Sequence, residues 1–154
     1  MMNREVMKSK YLVAGITSLI LLVLLLSPVN AAVYLKDGTE ISQDNASEVI
    51  LKDPNTTAEN FTITFFYDTH CGACEKAQEF LDQYRTDNPD VDIEYHDIFN
   101  NTENRALFEE FKTSYNQEYT SVPVVFIGNA VLEGDQAIED NFKPIADWFN
   151  EQKQ

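Results

Sequence analysis

The chain has 154 residues, 44% hydrophobic and 12% aromatic, which suffices for one packed domain with a short appendage and excludes a disordered polypeptide. The formal charge is −15; residues 1–31 carry +2 (Arg4, Lys8 and Lys10 against Glu5), which leaves −17 on the remainder. A surface that acidic repels phosphate backbones and anionic headgroups, so nucleic acid is excluded as a partner, and in its plainest role the charge keeps a soluble monomer in solution.

Residues 1–31 read as a targeting segment. Three cations precede a charge-free apolar run from Tyr11 to Leu26, and Ser27, Pro28 and Val29-Asn30-Ala31 follow. This is the layout of a signal peptide cleaved after Ala31, and the run is shorter than the ~20 residues of a comfortable membrane span. An uncleaved N-terminal membrane anchor is the alternative. Either places the rest of the chain in an extracytoplasmic location, secreted or anchored facing outside. Sequons begin at Asn45, Asn55, Asn60 and Asn100. They are glycosylation acceptors where the host has the machinery, or chance matches in an Asn- and Thr-rich chain.

Residues 32–58 form a polar lead-in that is a candidate first strand and helix of the fold. Val33-Tyr34-Leu35 suits a short strand, and Asn45 with Glu48 three positions on suits a capping pair for a helix over 46–52. A hairpin around Asp37-Gly38 competes with that helix. The remaining 59–154 read as the main domain. Phe61, Ile63 and Phe65 alternate with threonines and run into Phe66-Tyr67, as in a mostly buried strand. Cys71 to Thr86 follows as a helix, with Ala77, Phe80, Leu81 and Tyr84 on one face. Val91, Ile93 and Tyr95 mark a second strand, and 104–115 a helix facing inward through Leu107, Phe108 and Phe111. Val122 to Ile127 is a third strand, and Gly128-Asn129 turns it into Ala130-Val131-Leu132, an antiparallel hairpin. A last helical region covers 137–151, and Pro144 is expected to kink it or to begin a new helix. The order strand, helix, strand, helix, strand, strand, helix predicts an α/β fold whose mixed central sheet is flanked by helices, the first two strands being parallel.

The chain has two cysteines, spaced as Cys71-Gly72-Ala73-Cys74 between a buried strand and an amphipathic helix. A helix start offers unpaired N–H groups and the positive end of the dipole, both of which favour a thiolate, the nucleophile of disulfide exchange. Cys71 is therefore expected to attack, as the more exposed sulfur, and Cys74, one turn on, to resolve the mixed disulfide. A purely structural disulfide is a weak alternative, since closing a four-residue ring contributes only about 1.9 kcal/mol. Structural zinc needs four ligands, and only His70 and His96 supplement the two thiols. A soft-metal site, as in a copper chaperone, remains open through Cys71, Cys74 and His70. No metal and no cofactor is expected in the redox reading.

Cys-X-X-Cys between strand and helix, Val122-Pro123 at the head of a later strand, and a hairpin bounded by Gly128 and Gly134 together resemble the thioredoxin superfamily over residues 59–152. The resemblance implies a thioredoxin-like fold, a redox-active Cys71–Cys74 disulfide, a cis Val122-Pro123 bond packed against it, and a client strand bound along Val122. The chain departs from thioredoxin itself in three places. His70 replaces the tryptophan before the first cysteine, Ala73 the dipeptide proline, and Phe65 the buried aspartate six residues before Cys71. His70 could then modulate the site, because its charge changes near neutral pH and a cation favours the thiolate; an exposed loop histidine without a role is the plainer reading. His96-Asp97, at a strand end, are expected near the site or solvated. The function implied is that of an exported thiol-disulfide oxidoreductase, acting on client proteins with thiols or disulfides. Similarity to extracytoplasmic thioredoxin-like proteins served by membrane electron conduits implies a reductase or electron relay with a membrane electron donor as partner, and the opposite direction, a disulfide-introducing oxidase, stays open.

Overall fold

The computed structural model describes residues 31–58 and 61–152. The targeting segment, apart from Ala31, and the Asn60 sequon therefore lie outside the described residues. Among the described residues no helix is long and apolar enough to cross a membrane.

The chain runs β1 (Ala32–Leu35), β2 (Glu40–Ile41), a 3-10 turn (Gln43–Asn45), α1 (Ala46–Lys52), β3 (Ile63–Tyr67), α2 (Gly72–Asp87), β4 (Glu94–Asp97), α3 (Thr102–Ser114), β5 (Val124–Ile127), β6 (Ala130–Glu133) and α4 (Asp135–Gln152). Six strands form one mixed sheet in the order β2-β1-β6-β5-β3-β4. The β3–β4 pair is parallel, as a crossover through α2 requires; the other pairings are antiparallel. This is a thioredoxin-like arrangement, a mixed sheet flanked by four helices.

Strand alternation sorts the core into two layers. Ile63 and Phe65 of β3, Val125 and Ile127 of β5, and Leu132 of β6 pack with α2 and α4 through Ala77, Leu81, Phe142 and Phe149. Phe66, Val124, Phe126 and Val131 face the other way, onto Phe108, Phe111 and Tyr115. β3 and β5 are thus covered on both faces, which is why they read as unbroken apolar runs. Gly128, in the β5–β6 turn, has φ 58°, and a Cβ there would meet the Phe149 ring at 2.8 Å. Both the backbone angle and the close ring call for glycine.

Four expectations change in detail. In the lead-in, hairpin and helix do not compete: β1 and β2 turn at Asp37-Gly38, and α1 follows. β1 then pairs with β6, so the lead-in belongs to the sheet. Asn45 makes no side-chain cap on α1; the preceding 3-10 turn already supplies a carbonyl, from Gln43, to the Ala46 N–H. Val91 and Ile93 are buried ahead of β4, not within it. Pro144 begins no new helix, because α4 runs through it. Pro144 and Asp140, whose carbonyl loses its donor, are both exposed, so water can replace the missing bond.

Candidate active site

β3 ends at Tyr67, and a three-residue loop delivers the chain to Cys71. Asp68 folds that loop: its Oδ1 accepts the His70 N–H at 2.7 Å, and its carbonyl accepts the Cys71 N–H at 3.1 Å. Cys71 is the N-cap of α2. Its Sγ accepts the Cys74 N–H at 3.2 Å, taking the place of the usual cap oxygen with one of the donors that a helix start leaves unpaired.

The two sulfurs differ in surroundings. Cys71 is half-buried, whereas Cys74 is 1% exposed. Burial, reinforced by the hydrogen bond with Cys71, pushes the Cys74 thiol up to about 12, although Asp68 N–H approaches its sulfur at 3.5 Å. At neutral pH Cys74 therefore holds its proton, and Cys71 is the more accessible of the two sulfurs. Both cysteines are free thiols, so the Cys71–Cys74 disulfide implied by the resemblance is not formed in this structure.

The Val122-Pro123 bond is cis, and Pro123 is buried with Val122 half-buried beside it. The β3–β5 register pairs Phe66 with Val124, which sets Pro123 across from Tyr67, at the end of the sheet that carries Cys71. One positioning residue was missed in the sequence. Glu133 accepts the Ser121 N–H at 2.9 Å and its hydroxyl at 2.7 Å through Oε1, and the Thr120 hydroxyl at 3.3 Å through Oε2. The carboxylate thereby ties down the segment leading into Pro123. Its signal was an acidic residue ending an otherwise apolar strand.

His70 is exposed. Its Nδ1 lies 3.3 Å from Thr69 Oγ1 and 3.7 Å from Asp68 Oδ1, and its ring meets Phe99 at 4.0 Å between centroids. These recorded partners include neither cysteine. His96 is half-buried: it stacks on Phe66 at 5.2 Å, with Nδ1 3.3 Å from Asn104 Oδ1 and Nε2 3.6 Å from Glu94 Oε2. Phe65 fills the position of the absent aspartate, wholly buried and edge-on to Tyr95 at 5.7 Å. Among the described residues no three His, Cys, Asp or Glu side chains gather as a metal site. A soft-metal site would have to be built on the two sulfurs.

Residues 61–132 match the glutaredoxin family model. The matched stretch contains the loop, the cysteine pair, Val122-Pro123 and the closing hairpin. It supports membership of the thioredoxin superfamily and thiol-disulfide oxidoreductase chemistry of the thioredoxin-like kind. No curated protein and no solved structure matches the chain.

Proposed function

We propose that this is an extracytoplasmic protein thiol-disulfide oxidoreductase that cycles Cys71 and Cys74 between dithiol and disulfide. The carrying observation is the asymmetry of the pair: a half-buried cysteine capping a helix, and one turn on a buried cysteine that keeps its proton. In the reducing direction the Cys71 thiolate attacks a client disulfide; a Cys71–client bond forms and the second client sulfur leaves as a thiolate. Cys74 then loses its proton and attacks Cys71, releasing the reduced client and leaving the Cys71–Cys74 disulfide. Holding the two sulfurs one turn apart makes this second step effectively unimolecular. Pro123 and Val122 border the client path, by analogy with the superfamily. Export rests on the charge and apolar pattern of residues 1–31, and the reductase or relay direction, fed by a membrane electron donor, on the resemblance to extracytoplasmic relatives.

Cys74→Ser and Cys71→Ser variants, expressed with the native N-terminus, test the mechanism on non-reducing gels. Cys74→Ser is expected to accumulate mixed disulfides with clients and Cys71→Ser to accumulate none. Equal trapping by both, or no trapping together with stoichiometric Cu(I) binding, transfers the assignment to a soft-metal module. The reduction potential of the couple separates a reductase from an oxidase.

A further inference from the structure

The sheet register brings several loops together around Cys71. Tyr67 pairs with Asp97, and Val124 pairs with both Phe66 and Glu133, so β3, β4 and β6 end where β5 begins. α2 and α4 start at this same end, after Cys71 and Gly134. The result is an acidic rim: Asp68 before Cys71, Glu75 in the first turn of α2, and Asp97, Glu133 and Asp135 at the strand ends. Lys76 and Arg105, the lysine and arginine nearest to these carboxylates in the chain, are engaged, and His70 lies against Asp68 and Phe99. Lys76 lies 3.5 Å from Asp135, and Arg105 donates to the Ile98 carbonyl at 3.1 Å and to Thr102 Oγ1 at 3.3 Å.

The same rim carries exposed aromatic surface. Among the described residues the exposed large apolar side chains are Phe99, at 40%, and Tyr119, at 90%. Phe99 follows β4 and rests on His70, which adjoins Cys71. Tyr119 precedes Thr120 and Ser121, which Glu133 holds at the approach to Pro123. Aromatic faces beside carboxylates, with the nearby cations occupied, suit lysine or arginine: the carboxylates attract the charge and the rings accept a cation over their faces.

We propose that the rim around Cys71 receives client segments bearing lysine or arginine next to their cysteine, with Phe99 and Tyr119 as their aromatic seat. The proposal rests on the disulfide-exchange reading above and adds the chemical class of the client. The net charge of −17 on residues 32–154 acts in the same direction, hastening encounters with cationic segments and slowing those with anionic ones.

The test uses the reduced full chain carrying Cys74→Ser, so that exchange stops at the mixed disulfide. The probes are two peptide disulfide dimers, identical except for arginine or glutamate flanking the cysteine, and the neutral bis(2-hydroxyethyl) disulfide. In each case the Cys71 thiolate forms a bond to one probe sulfur as the probe's S–S bond breaks, and the other sulfur departs as a thiolate. Each rate is divided by that of 2-mercaptoethanol with the same probe, which removes intrinsic differences in reactivity. The arginine peptide is expected to react about 10-fold or more faster than the glutamate peptide at about 20 mM salt, the ratio shrinking towards one at about 0.5 M. Phe99→Ala is expected to slow the arginine peptide relative to the neutral probe. A ratio near one at low salt, or one that salt leaves unchanged, overturns the charge assignment, and an unaltered relative rate in Phe99→Ala overturns the aromatic seat. Failure of all three probes to react would overturn the exchange mechanism itself.

Discussion

Cys74 is buried within α2 while Cys71, at the helix start, is only half-buried, and this sets a measurable order of reactivity. With the Cys74 thiol pushed up to about 12, little of it is thiolate at pH 8, and burial further restricts access. Iodoacetamide at pH 8 is expected to label Cys71 at least about 100-fold faster than Cys74, read by peptide mass mapping. Comparable labelling of both would contradict the asymmetry on which the mechanism depends. His70 bears on the same sulfur through charge alone, since its recorded contacts are to Asp68, Thr69 and Phe99. If a cationic imidazole at His70 supports the thiolate, His70→Ala slows Cys71 alkylation. An unchanged alkylation profile confines His70 to holding Phe99.

At the scale of elements, α4 covers the sheet by burying Ile138, Phe142, Ile145 and Phe149, and it does so with Pro144 inside it. The inward residues repeat at helical spacing and carry the packing, whereas Pro144 stands on the exposed side, where its ring displaces no core contact. The helix nonetheless lacks one hydrogen bond there. Pro144→Ala is expected to restore it and to stabilise the fold by about 1–3 kcal/mol, seen as a higher urea midpoint at unchanged m-value. A lower midpoint would show that the proline geometry is required for packing. α2 faces α4 through Tyr84, whose hydroxyl donates to Asp147 at 2.8 Å and whose ring meets Phe142 edge-on at 5.0 Å.

That helix contact takes part in the pH response of the whole molecule. Burial first, then a carboxylate, hydrogen-bonded Asp147 for Tyr84 and the nearby charge of Asp82 for Tyr95, raises both phenols well above their usual range, and burial raises Cys74 likewise. Each folded-state value exceeds the unfolded one, so the fold binds these protons more tightly than the unfolded chain does. The associated stability is complete below about pH 9, where the unfolded thiol begins to ionise, and is lost as pH climbs towards 12. Urea midpoints of the reduced protein are expected to be lower at pH 10.5 than at pH 8. A constant midpoint over that interval would refute the assigned burial of these groups.

Residue order alone determined the features that depend on neighbours in the chain. The threonine-interrupted run into Phe66-Tyr67, the helical spacing of Ala77, Leu81 and Tyr84, the Gly128-Asn129 turn and the placement of Cys71-Gly72-Ala73-Cys74 were all legible, because periodicity and turn chemistry are local. Tertiary structure decided what depends on distant partners. Whether Val33 and its neighbours joined the sheet turned on pairing with β6, nearly a hundred residues away, for which the local pattern carries no signal. Asn45, the last residue of a 3-10 turn, makes no side-chain cap on the helix that follows. Pro144 could remain inside α4 only because the sheet took up the opposite face of the helix. The inequality of the two cysteines, the grip of Glu133 on Ser121 and the pairing of Phe99 with His70 likewise arose once the strand ends converged. Burial and through-space electrostatics are properties of that packed arrangement, and a linear spacing does not contain them.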